Sequence, residues 1–176
     1  MTVADLLAGG SRLDLDFAIE VIRGCCEAGT ELGDLRWSSR AIGVAWSPTP
    51  ASIEVSSTRA VRLLPHDASP ISFAYFAPEV ADGLHWDERG WVFALGAILY
   101  EMLAGAPLFR GSTDYATVEA VRRARVLPPH DMPVAPSAIV MKALARNPAA
   151  RYQTLGDLAD ALAAAATTCP ATAPYR

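Results

Sequence analysis

Little in this sequence serves crosslinking, metal binding or membrane insertion. Cysteine is scarce: three in 176 residues, an odd number, with Cys25 and Cys26 adjacent. No pair has zinc-site spacing and no disulfide framework is suggested, so reduced thiols in a cytosolic protein are expected. A basic excess is also absent. The net charge of -4 and pI near 5.3 speak against nucleic acid or an anionic membrane surface as the main partner. The most apolar run falls short of the ~20 residues that a membrane span needs. The N-terminus has neither the basic start nor the apolar stretch of a signal peptide. There is no internal repeat and no G-x-G-x-x-G or Walker-type string. These absences predict a soluble cytoplasmic domain.

What is present is enough for one ordinary globular domain, with 52% hydrophobic and 19% charged residues. Its organising stretch is Asp87 to Gly105. From Trp91 to Ala104 only Glu101 is charged, and Trp91, Leu95, Ile98, Leu99 and Met102 recur at helical spacing. A helix apolar nearly all round has no face to give to water, so it is expected to be the buried axis of the domain. Gly105 suits a C-terminal cap, and Pro107 prevents the helix from resuming.

Around this axis the spacing predicts a mainly α domain over residues 1–166, with a small β-hairpin region near residues 42–64. Val3 to Ala8 reads as a short helix. Ser11 with Asp14 reads as a capping box for a longer one, which carries Ala18, Val21, Ile22, Cys25 and Cys26 on one face and is broken by Gly29 and Gly33. Strand-like runs follow at 42–46, 53–57 and 60–64, with a loop from Pro65 to Phe76. A helix is expected from Asp114 to Arg125, capped by Ser112 or Thr113. The prolines at 128, 129, 133 and 136 predict an extended connection. Ser137 to Ala145 reads as a helix. Thr154 with Asp157 opens the last helix, with Leu155, Leu158 and Leu162 inward. From Thr167 the tail is expected to fray.

Several strings together resemble one family. Tyr75-Phe76-Ala77-Pro78-Glu79 resembles the Ala-Pro-Glu end of a protein kinase activation segment. The axial helix is similar to the family's long F helix, and YEMLAGAPLF at 100–109 to its continuation. KALARNPAARYQTLGDLADAL at 142–162 resembles the end of the catalytic domain in bacterial eukaryotic-like serine/threonine kinases. TVADLLAGG at 2–10 resembles the helix after the hinge between the lobes. The resemblance implies a kinase C-lobe-like helical domain around a buried central helix.

It also implies where the chemistry would sit. Kinase phosphoryl transfer uses a Gly-rich loop, a β3 lysine and a paired glutamate of the N-terminal lobe, and this chain begins after that lobe would end. Whether the natural protein continues upstream stays open. Aligned without gaps, the His-Arg-Asp position falls on Arg36, Trp37 and Ser38, and the metal-binding Asn position on Gly43. A shifted alignment places Asp34 at the base and Ser39 at the Asn. The magnesium-holding Asp of Asp-Phe-Gly falls on Pro65, with Asp67 two residues later. Trp91 stands where these kinases carry the Asp that tethers the catalytic loop. The segment from Pro65 to Glu79 is short by family standards.

Glu79 and Arg151, by contrast, match the family's buried ion pair. On these residues the resemblance implies a pseudokinase rather than an enzyme, with no cofactor or metal. It would act as a scaffold, adaptor or regulator whose partner is another protein (a kinase or signalling component) or a second copy of itself. The alternative is a residual or trans-complemented serine/threonine phosphotransferase. Trp37 and Trp46 near the former active-site face, and Arg122 and Arg123 on the helix opening at Asp114, form the candidate partner surface. His66, His85 and His130 fall in loops and are not expected to act in catalysis or metal binding.

Overall fold

The computed structural model describes residues 1–31, 47–64, 72–84, 86–128 and 132–168. Among these are seven α-helices and one two-stranded sheet: α1 (Val3–Leu7), α2 (Leu15–Glu31), β1 (Ile53–Val55), β2 (Val61–Leu63), α3 (Pro78–Ala81), α4 (Glu88–Ala104), α5 (Asp114–Arg123), α6 (Val134–Ala143) and α7 (Leu155–Thr168). The chain is thus mainly helical, in the manner of a kinase C-lobe.

Helix α4 is the axis. Trp91, Val92, Phe93, Ala94, Leu95, Ile98 and Met102 are all wholly buried, on every side of the helix. Its N-terminus is closed by Asp87, whose side chain accepts from the Arg89 N–H, and its C-terminus by Gly105 at φ 76°. That left-handed conformation favours glycine because a Cβ would crowd the following carbonyl. Around α4 pack α2, α6 and α7.

Helix α2 differs from its expected form at both ends. Its start is held by Asp14 alone, whose Oδ1 accepts from the Asp16 and Phe17 N–H groups at 3.0 and 3.1 Å. The predicted Ser11–Asp14 box has moved along, with Asp14 itself as the cap. Gly29 does not break the helix, which runs on to Glu31. A Cβ at Gly29 would lie 2.7 Å from Leu155 Cδ1 and 3.2 Å from Trp91 Cζ3. The glycine is therefore there for the close approach of α7 and α4, not for a turn.

Helix α7 opens with the expected capping box: the Thr154 N–H donates to Asp157 Oδ2 and the Asp157 N–H to Thr154 Oγ1, both at 3.0 Å. The free N–H of Leu155 donates to Glu88 Oε1 at 2.7 Å, so the first turn of α4 helps to cap α7. Leu155, Leu158 and Leu162 are wholly buried. The helix continues through Thr168, one residue past the expected point of fraying. Helix α6 begins at Val134 rather than Ser137 and contains Pro136, against the expectation that none of these prolines lies in a helix. In the first turn a backbone N–H has no intrahelical acceptor, so proline forfeits no hydrogen bond there.

The hairpin pairs Ile53 with Leu63, Glu54 with Arg62 and Val55 with Val61. It lies against α2, where a Cβ on Gly24 would come within 2.8 Å of Val61 Cβ. The N-terminus joins it: the Val55 N–H donates to the Met1 carbonyl at 2.9 Å. The strand expected at 42–46 lies outside the described residues. Within the expected loop up to Phe76, Phe73–Tyr75 forms a single 3-10 turn.

Candidate functional site

The site region is built where the 72–84 segment crosses α4 and meets the α5 and α6–α7 connections. Pro78 sits in the first turn of α3, so Glu79 follows at a fixed helical position. Glu79 and Arg151 are 72 residues apart and form a bidentate pair, Nη1 to Oε1 at 2.8 Å and Nη2 to Oε2 at 2.7 Å. Arg151 donates its remaining N–H groups to the carbonyls of Ala145, Arg89 and Arg146. All five guanidinium donors are therefore used. The Arg151 side chain is 0% exposed and that of Glu79 9%, and the guanidinium lies 4.9 Å from the centre of the Phe93 ring. Phe93 in turn stacks on Phe109 at 5.8 Å between ring centres. A buried charge is tolerable only when its donors and acceptors are matched in this way. The pair welds the end of the 72–84 segment to α4 and to the loop before α7.

A second polar contact was not foreseen. The Tyr75 hydroxyl donates to Glu101 Oε2 at 2.6 Å, within the otherwise apolar α4. Glu101 is 7% exposed. Burial pushes its carboxyl above the usual range, although the Tyr75 hydrogen bond and the charge of Arg110 oppose that shift. Burial and the adjacent carboxylate likewise raise the Tyr75 phenol. The signal was in the sequence, since Glu101 is the one charge between Trp91 and Ala104; its partner could not be read without the fold.

Two clefts open on this contact. One, of about 510 Å³, lies between α1 and the end of α4 and is lined by Glu101, Tyr75 and Gly105 among others. The second, of about 390 Å³, lies between the Phe73–Tyr75 turn and the start of α5. Ser72, Tyr75, Pro107 and Arg110 line both, so the clefts adjoin along these residues.

The remaining predicted site residues divide into two groups. Arg36, Trp37, Ser38, Gly43, Trp46 and Pro65, with the alternatives Asp34, Ser39 and Asp67, lie outside the described residues, as do His66, His85 and His130. Arg122 and Arg123 are described. Arg122 donates to the Ala81 carbonyl at 3.0 Å and pairs with Asp82 at 3.1 Å and Glu119 at 2.9 Å, tying α5 to α3. Arg123 is the more exposed and lies 3.8 Å from Glu119. Trp91, in the position of the tethering Asp, is wholly buried. Cys25 and Cys26 are free and buried; burial raises the Cys25 thiol well above its usual range and pushes Cys26 up to about 12. Among the described residues no three His, Cys, Asp or Glu side chains come together to hold a metal ion. No described helix is long and apolar enough to cross a membrane.

No family model matches the chain. Individual kinases do. It is 31% identical over 176 residues to the serine/threonine-protein kinase PknB of Mycobacterium leprae, covering 89% of this chain and 27% of that protein. It is 32% identical over 161 residues to PknB of Mycolicibacterium smegmatis, covering 80% of this chain and 25% of that protein. It is 39% identical over 94 residues to the tyrosine-protein kinase MasK of Myxococcus xanthus, covering 51% of this chain and 15% of that protein. The chain spans about a quarter of the length of the PknB relatives.

These relatives correct one expectation. The resemblance implied a pseudokinase and not an enzyme, from the missing nucleotide-covering lobe and from substitutions at Arg36, Trp37, Ser38, Gly43 and Pro65. The proteins it matches are named as serine/threonine and tyrosine kinases, which points to an enzyme. The prediction depended on an ungapped register through 32–46 and 65–71. A shift of a few residues there exchanges Ser38 for Asp34 at the catalytic base. Over about nine-tenths of its length this chain is homologous to bacterial serine/threonine protein kinases, and its described helices form a kinase-like C-terminal lobe.

Proposed function

We propose that this chain is the protein-recognising lobe of a serine/threonine phosphotransferase. In that reading it holds a protein substrate for phosphoryl transfer, with a nucleotide-covering lobe supplied on the same or another polypeptide. The observation that carries the proposal is the Glu79–Arg151 pair at 2.7 Å, lying within the sequence that aligns with named kinases. The pair anchors the 72–84 segment, whose Ser72 and Tyr75 line the two adjoining clefts. Positioning is the larger part of phosphoryl-transfer catalysis, because the transferred group needs alignment more than covalent assistance. The partner is accordingly a protein with an accessible hydroxyl. The free thiols of Cys25 and Cys26 are in keeping with the reducing cytoplasm.

The test is transfer from radiolabelled ATP with magnesium to a generic protein substrate, by the chain alone and mixed with a separately produced kinase N-lobe. The expected result is metal-dependent labelling of serine or threonine that Asp34→Ala abolishes. A melting curve with ATP and magnesium accompanies it. At ~100-fold excess over Kd a ligand stabilises by about 2.7 kcal/mol, which for this chain length corresponds to a rise of roughly 5–10 °C. No labelling and no thermal shift, alone or in the mixture, overturns the proposal.

A further inference from the structure

The seam between the two clefts carries a charge that has no partner among the described residues. Arg110 lines both clefts and is exposed. It is near enough to Glu101 and Tyr75 to lower the pKa of each, yet it closes no ion pair with Glu101, which is held instead by the Tyr75 hydroxyl at 2.6 Å. Two other arginines around this region, Arg151 and Arg122, are engaged. Arg151 has spent all its donors inside the lobe, and Arg122 is tied to Asp82, Glu119 and the Ala81 carbonyl. Among the described residues no hydrogen bond or ion pair occupies the Arg110 guanidinium, which lines the groove.

The charges flanking it are negative. Glu101 lines the first cleft, and Asp114 lines the second, exposed at the start of α5. From the first cleft across the seam into the second, the wall therefore reads acid, base, acid. An anion is attracted at the middle position and repelled on either side, since like charges at close range cost what opposite charges gain. A run of acidic residues meets repulsion at both ends. A single acidic residue between uncharged or basic neighbours does not.

We propose that Arg110 is a specificity-determining residue that selects protein substrates carrying one isolated acidic side chain, which docks at the seam. This rests on the reading of the lobe as protein-recognising and names the substrate class for that same site.

The experiment is fluorescence anisotropy of the full chain with extended, serine-containing peptides, in the absence of nucleotide. One series carries a single Glu at each successive position, a second a single Lys, and a third three consecutive Glu. The expected result is one register in which the single Glu strengthens binding and Lys weakens it. An exposed pair of this kind contributes roughly 2–5-fold, and the three-Glu peptides fall below the best single-Glu peptide. Arg110→Ala removes the preference and Arg110→Glu reverses it. Because Arg110 is exposed, both variants are expected to melt with the parent protein, which is checked in parallel. The proposal is overturned if the peptides do not bind, if Glu and Lys bind alike, if the three-Glu peptides bind best, or if Arg110→Glu leaves the pattern unchanged. Binding is read without ATP, so failure of phosphoryl transfer leaves this result standing and the two readings fail separately.

Discussion

Arg151 Nη2 and Glu79 Oε2 lie 2.7 Å apart, with the arginine side chain wholly removed from solvent. The contact joins the segment ending at α3 to the loop that precedes α7, and it is the main polar link between those two parts of the chain. Neither charge has an alternative in water once the lobe is folded. The effect of removing one is therefore set by the other.

Glu79→Gln or Arg151→Met, made singly, is expected to cost about 3–5 kcal/mol, because the remaining charge stays buried without its counterpart. Urea unfolding of each variant measures this. The double substitution Glu79→Gln with Arg151→Met is expected to lose clearly less than the sum of the two. Losses below about 1 kcal/mol for both single variants would show that water reaches the pair.

Gly24 tests the seating of the hairpin. An added Cβ would stand 2.7 Å from Val61 Cγ2 and 2.8 Å from Val61 Cβ, and a β-branched side chain on a paired strand has little room to turn. Gly24→Ala gains up to about 1 kcal/mol of helix propensity but is expected to lose about 1–3 kcal/mol to overpacking. A net loss of stability is predicted, with a favourable coupling to Val61→Ala in a double-mutant cycle. A net gain for Gly24→Ala alone would mean that β2 moves away freely.

Glu101 makes a pH-dependent contribution of determinate sign. Burial raises its folded-state pKa above the unfolded value, so in the interval between the two the folded state binds more protons. Stability from this group is greatest below the unfolded pKa and declines as pH rises through the folded one. Glu101→Gln keeps an acceptor for the Tyr75 hydroxyl and removes the titration. The variant is therefore expected to gain on the parent protein as pH is raised through and just above the ordinary carboxylate range, and then to run parallel. Thermal melts from pH 4 to 8 check it. A parent protein that gains on the variant over that interval contradicts the assignment.

The vicinal thiols should be silent. Cys25 and Cys26 are 0% and 1% exposed, and both are held protonated by burial at neutral pH. Only thiolate reacts at an appreciable rate. In the native protein at pH 7.5 neither is expected to be labelled by a thiol-specific reagent, whereas both are labelled in urea, as peptide mass mapping would reveal. Rapid native labelling of either would place α2 in exchange with an open state.

How far the chain could be read in advance depended on whether a feature is local. The burial of α4 was legible because a helix apolar on all sides has one stable environment, and its ends because Asp87 and Gly105 act through their own backbone. The Thr154–Asp157 box was legible for the same reason. Gly29 was misread: glycine in a sequence signals either a break or a close approach, and only Leu155 and Trp91, arriving from other helices, decide between them. Pro136 was misread because its tolerance depends on where the helix starts, and local pattern left that open by three residues.

In the candidate site, the resemblance to kinases pointed to Glu79 and Arg151, and spacing marked Glu101 as the one charge in an apolar helix. Composition and spacing alone thus settled a helical lobe around one buried axis. Three-dimensional packing decided the rest: that Tyr75 meets Glu101, that Arg122 is consumed by Asp82 and Glu119, and that Arg110 is left at the seam of two clefts. Those outcomes are contests among side chains distant in sequence for the same few partners, and a linear order of residues does not record who is near enough to win.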